Sequence, residues 1–185
     1  KDIQQLEARS SRANFVIYPE STFSQGLQQI ASLIKAEVGL KVATIDLDGW
    51  DTHFAQGVHE GIMPRLMKEL SGGLAAFYAD LEEDINRVTL LVMTEFGRRA
   101  YENASLGTDH GRGGLMLLLG GSVTGGKVVC QWPGLDQENL IGPGDVAVTI
   151  DFRDVLAEIL EKRLHNTGIE DVFPDYDPIP LGVLQ

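Results

Sequence analysis

From Phe23 to Val38 the apolar residues Leu27, Ile30, Leu33 and Ile34 return every three or four positions, the one-sided stripe of an amphipathic helix that Gly39 ends. The pattern then changes to LKVATIDL (40–47), where Val42, Thr44 and Ile45 give the β-branched character of a strand closed by a turn at Gly49. Ile62, Leu66, Met67, Leu70, Leu74, Phe77, Tyr78 and Leu81 restore a 3.6-residue period through to about Ile85. This predicts a long crossover helix with Gly72 and Gly73 as a kink or close-packing point. RVTLLVMT (87–94) is nearly continuous in apolar residues, as a strand covered on both faces would be. A right-handed βαβ unit follows, which places the ends of its two strands on one edge of a sheet. LMLLLGG (115–121) and KVVCQW (127–132), joined by GSVTGG, predict a hairpin. Asp151 is placed to cap DFRDVLAEILEKRL, whose Phe152, Val155, Leu156, Ile159, Leu160 and Leu164 share a face. The proline-rich end, FPDYDPIPLGVLQ, excludes a helix.

Composition narrows the function classes. The 185 residues make one domain's worth of chain, 43% of them apolar, enough for a real core. A formal net charge of -12 with 15 basic residues and no run of them argues against nucleic acid as a partner, since phosphate affinity comes from clustered Lys and Arg. No apolar run approaches the roughly 18 residues of a membrane span. Cys130, the single cysteine, excludes an internal disulfide and a multi-cysteine metal site. The chain starts at Lys1 with a polar, weakly periodic opening, which suggests a piece of a longer protein.

Chemistry-bearing residues gather where strands are expected to end. Asp51-Thr52-His53 follows the first strand. The second is followed by Glu95-Phe96-Gly97-Arg98 and, within the same long loop (95–114), by Thr108-Asp109-His110. Three carboxylates, two imidazoles and a guanidinium suit one or two zinc, manganese or iron ions better than calcium alone. Each cluster on its own is also what a solvated loop, a helix cap or an Asx turn carries. Arg98 is placed either to hold a tetrahedral anion or to neutralise Glu95 or Asp109. His59 and His165, at helix ends, read as structural.

The runs DLDGWDTH, VMTEFGRRAYENASLGTDHGRGG, LLLGGSVTGGKVVCQWPGL and TIDFRDVLAEIL, in this order, resemble the C-terminal portion of the DUF1501 family. That family is grouped with the alkaline phosphatase and sulfatase superfamily. The resemblance implies an α/β, three-layer fold with a mostly parallel central sheet between helices, of which residues 1–185 are the C-terminal half. It implies Asp51, His53, Glu95, Asp109 and His110 as ligands of a divalent metal ion (Zn, Mn, Mg or Ca), with Arg98 close by as a catalytic residue. It also implies an exported protein, although no leader is present in these residues. Two departures stand out. The superfamily's nucleophile and first metal-binding Asp belong to an N-terminal segment not found in these residues. Its usual Asp-His-Gly appears here as Glu95-Phe96-Gly97, and Phe96 cannot bind a metal.

The function expected from this resemblance is metal-dependent hydrolysis of small anionic phosphate or sulfate esters, with the missing N-terminal half of the same domain as a partner and the chain by itself inactive. The alternatives are a non-catalytic, metal-stabilised binding module on the same scaffold and a purely structural partner of another chain.

Overall fold

The computed structural model describes residues 16–185. Residues 16–48 and 66–84 form one compact unit, and Gly49–Arg65 with Ile85–Gln185 form a second.

In the first unit, helix α1 (Thr22–Lys35) starts where Ser21 turns extended and its hydroxyl accepts the backbone N–H of Ser24. It buries Phe23, Leu27 and Ala31, one turn apart. Helix α2 (Ile62–Leu81) contributes Leu66, Ala76, Phe77 and Leu81 to the same core. Gly73 is a close-packing point and not a helix end: a Cβ there would lie 2.8 Å from Cε1 of Phe23 and 3.1 Å from Cδ1 of Leu27. Asp80 ties the unit together at its rim, accepting from Lys35 Nζ at 2.7 Å and from the Tyr18 hydroxyl at 3.0 Å. Burial and that hydrogen bond raise the Tyr18 pKa above its ordinary value.

The second unit holds all the strands found among the described residues. β1 (Thr89–Val92) pairs antiparallel with β4 (Leu117–Gly120), and the shorter β2 (Gly97–Arg98) pairs antiparallel with β3 (His110–Gly111). The three-layer, mostly parallel α/β sheet expected from the sequence is therefore not the fold: two antiparallel pairs stand in its place. Residues 40–47 form no strand, and most of them are exposed. Alternation in sequence marks a segment that could pleat, but a strand also needs a neighbour to take its N–H and C=O groups, and the pattern does not supply one. Without that strand there is no βαβ unit. The expected 115–121/127–132 hairpin gives way too, because Leu117–Gly120 spends its ladder on β1, with Leu90 opposite Leu119 and Leu91 opposite Leu118. No helix among the described residues is long and apolar enough to cross a membrane.

Helix α3 (Phe152–Leu164) begins at Asp151, whose carboxylate accepts the backbone N–H of Arg153 at 2.9 Å, and it ends at His165 in the left-handed region (φ 53). A short helix α4 (Ile169–Val172) follows. The buried face of α3 carries two acids, Asp154 and Glu158, each 5% exposed, and both are spent on the C-terminal tail. Asp154 Oδ1 accepts from the Tyr176 hydroxyl at 2.7 Å and from the Ile179 N–H at 2.8 Å. Glu158 accepts the N–H groups of Leu181, Gly182 and Leu184, and Lys162 bridges it to the Leu184 carbonyl. This carboxylate cradle supplies partners for a stretch of backbone that has no ladder of its own. Burial of Glu158 favours its neutral form, but the tail N–H groups and Lys162 outweigh that effect and hold its pKa below the ordinary value.

A depressed folded-state pKa contributes stability that is in full force above the unfolded-state pKa of about 4.3 and is lost as pH falls through the folded value. Glu158→Ala is therefore expected to cost about 2–4 kcal/mol at neutral pH by leaving several tail donors without a partner. The difference from wild type should shrink in acid. Urea melts of both proteins at neutral pH and near the Glu158 titration check this, and a pH-independent difference would contradict it.

Candidate metal centre

Three segments of the second unit meet at the site. Residues 52–56 run beside 105–108, joined by Thr108 N–H to Thr52 O (3.3 Å), Ala55 N–H to Ser105 O (3.0 Å) and Gln56 N–H to Leu106 O (2.9 Å). Under this seam Gln56 Oε1 accepts two hydroxyls at 2.8 Å each, from Thr52 and Thr108. Thr52 is 2% exposed, so its side chain turns inward while those of Asp51 and His53 turn out. The third segment is the β2–β3 pair, whose register sets Arg98 opposite His110. Arg98 locks the three together, with one terminal nitrogen donating to the Trp50 carbonyl and the other to the Thr108 carbonyl.

At the surface of this junction Asp51, His53 and His110 each offer one ligand atom, all within 4.8 Å of one another. Asp51 Oδ1 lies 2.7 Å from His110 Nε2, 3.1 Å from His53 Nε2 and 3.7 Å from an Arg98 nitrogen. The hydrogen bond from His110 is the main reason the Asp51 carboxyl sits below the usual carboxylate range, with His53 and Arg98 adding to it. The side chains are open, 63% exposed for Asp51, 45% for His53 and 47% for His110. Phe96 stacks on His110 with ring centroids 3.9 Å apart and 15° between planes, and the Arg98 guanidinium lies over the same ring. Phe96 thus supports one imidazole instead of offering a ligand.

Asp109 stands behind His53, its Oδ1 3.1 Å from Nδ1, the ring nitrogen opposite the one that meets Asp51. It also accepts from Asn103 Nδ2 at 3.0 Å and from Arg99 at 3.2 Å. The Asn103 hydrogen bond, then that of His53, lowers its pKa. Glu95 is exposed and does not belong to the group of three. Of the five carboxylates and imidazoles singled out in the sequence, three converge, Asp109 joins them through His53, and Glu95 stays apart. Asn103 is a site residue the sequence reading passed over. The run ENASLG carries the signal for it, a side-chain amide placed to close an Asx-type turn, and Asn103 Oδ1 does accept from Ser105 and Gly107 N–H.

The matching family model is described as a protein of unknown function, DUF1501, and it covers residues 2–173. The chain belongs to the DUF1501 family. No curated protein and no solved structure matches it. The DUF1501 match takes in every residue of the site, while the tail segment from Tyr176 onward lies beyond it.

Two imidazoles and one carboxylate with open sides make the donor set of a zinc, manganese or iron site that keeps free coordination positions. Ligands of one tetrahedral ion stand about 3.3 Å apart, given bonds of roughly 2.0–2.1 Å, so the present spacing of 2.7 Å to 4.8 Å would need side-chain adjustment to receive an ion.

Gly107 makes the seam possible. A Cβ there would lie 2.3 Å from the His53 carbonyl carbon and 2.5 Å from Thr52 O, both backbone atoms that cannot step aside. Gly107→Ala is expected to destabilise the protein by about 1–3 kcal/mol and to shift the His53 and Asp109 resonances. A thermal melt with an amide NMR spectrum measures both, and an unperturbed His53 would show that the seam does not position the site.

Proposed function

We propose that this DUF1501 protein holds a divalent metal ion, zinc or manganese, through Asp51, His53 and His110, and uses it to hydrolyse phosphate or sulfate esters. The observation that carries the reading is the convergence of those three ligand atoms within 4.8 Å on an open surface. Bound there, the ion would supply Lewis-acid polarisation of an ester oxygen. Asp51 contributes the negative charge of the site. Phe96 fixes the plane of His110, and Asp109 fixes that of His53. Arg98 brings a cation beside the ligands, 3.7 Å from Asp51, where an anionic ester would otherwise meet a chain of net charge -12.

One observation favours a second reading, an anion-binding module stabilised by metal without turnover. The two hydroxyls nearest the ligands in sequence, Thr52 and Thr108, are both committed to Gln56, so neither is free as a nucleophile.

Metal competition against a chromophoric chelator tests the ion, and a panel of aryl phosphates and sulfates tests the chemistry. Wild type should take up zinc or manganese and gain about 2.7 kcal/mol of stability at a free ion concentration 100 times Kd. Asp51→Ala and His110→Ala should each weaken uptake by more than about 100-fold, beyond what loss of an outer-shell partner costs. No uptake by wild type would remove the metal reading. Uptake with no turnover across the panel would select the binding module.

A further inference from the structure

We propose that Asp109 is a positioning residue that holds His53 in one tautomer, and that Asn103 is built into the loop to aim it. The proposal rests on the metal reading above and assigns Asp109 a place behind the ligands and not among them.

Geometry carries the argument. The in-plane lone pairs of an imidazole diverge, so a group facing Nδ1 cannot share an ion held at Nε2. His53 Nδ1 is hydrogen-bonded with Asp109 Oδ1 at 3.1 Å, while Nε2, on the other side of the ring, lies 3.1 Å from Asp51 Oδ1. Asp109 is outside the group of three mutually close ligand atoms. An ionised carboxylate can only accept, so the proton of a neutral His53 is drawn to Nδ1 and Nε2 is left with its lone pair toward the ion. A ligating histidine backed by a carboxylate in this way is held in orientation and made more basic.

The carboxylate is itself held from both sides. Oδ2 meets Arg99 Nη1 at 3.2 Å, and the Arg99 Nε side is 3.6 Å from Asp145. Oδ1 accepts from Asn103 Nδ2, which also donates to the His53 carbonyl, both at 3.0 Å. One amide group therefore grips the backbone of the histidine and the acid that orients its ring. The amide cannot be reversed without loss, since its oxygen already takes the N–H groups of Ser105 and Gly107 and its nitrogen faces two acceptors.

The test uses the full chain loaded with zinc, with the protonated ring nitrogen of His53 read from long-range 1H–15N spectra and affinity from chelator competition. Wild type is expected to carry the proton on Nδ1. Asp109→Ala should lower zinc affinity about 10- to 100-fold and shift His53 toward a mixture of tautomers, while Asp109→Asn, whose amide oxygen still accepts, should recover part of both. Asn103→Ala should move the same two readouts in the same direction by less. Should Asp109→Ala fail to fold, the wild-type tautomer and the Asp109→Asn and Asn103→Ala variants still decide. Zinc uptake with unchanged affinity and tautomer in the Asp109 and Asn103 variants would overturn the positioning role and leave the metal reading standing. A loss in Asp109→Ala as deep as in Asp51→Ala would overturn it by making Asp109 a ligand. No uptake by wild type would remove both.

Discussion

The site depends on the two hydrogen bonds that Arg98 makes to backbone carbonyls. Trp50 precedes Asp51 and Thr108 precedes Asp109 and His110, so one guanidinium fixes the residues just ahead of the site's acids and one of its histidines. A charge-assisted bond to a carbonyl contributes about 1.5–3 kcal/mol, more than a neutral one, and the Arg98 side chain is only 18% exposed, so water competes weakly for it. The planar fork matters as much as the charge. A lysine would offer a point charge on a flexible stem and could not hold two loops at a fixed separation. Anchoring these loops still leaves the Arg98 charge beside Asp51.

This junction also explains how the loops converge without the sheet that was expected to bring them together. In a parallel α/β fold, strand ends gather by topology. Here a two-residue antiparallel pair, a seam of backbone hydrogen bonds and one arginine do the gathering. Such an arrangement places few side chains accurately and leaves them exposed, which fits three ligands at a surface better than an enclosed two-metal site.

The legible parts of the sequence were those governed by local rules. Helical periodicity located α1, α2 and α3 to within a few residues, and Asp151 caps α3 as its position ahead of an apolar stripe implied. Asp51, His53 and His110 stood out because two of the chain's four histidines sit within two residues of an aspartate on turn-rich loops. What could not be read was pairing. Residues 40–47 and 127–132 carry strand composition, yet each would need a specific distant neighbour, and only Leu117–Gly120 found one, in Thr89–Val92. Buried acids are illegible for the same reason. Asp154 and Glu158 look like the wet face of α3 until the tail arrives with N–H groups to neutralise their cost. Asn103 was passed over because its value lies in reaching two groups, His53 and Asp109, that are 50 and 6 residues away.

The spacing of the three candidate ligands says how an ion would be received. Asp51 Oδ1 and His110 Nε2 are 2.7 Å apart, a hydrogen-bond separation shorter than the distance between two ligands of one ion. Receiving an ion would therefore open that contact by roughly half an ångström. His53 is gripped from behind by Asp109, and the Asn103 amide holds its carbonyl, so it has little freedom to give. His110 is held on one face by Phe96, a contact that tolerates sliding within the stacking plane. Asp51 is the most exposed of the three at 63% and follows a backbone anchored at Trp50 O, so its carboxylate has open space to turn into once the His110 contact is released. Accommodation of an ion would fall to Asp51 and His110, with His53, the residue the loop holds most firmly, as the fixed reference.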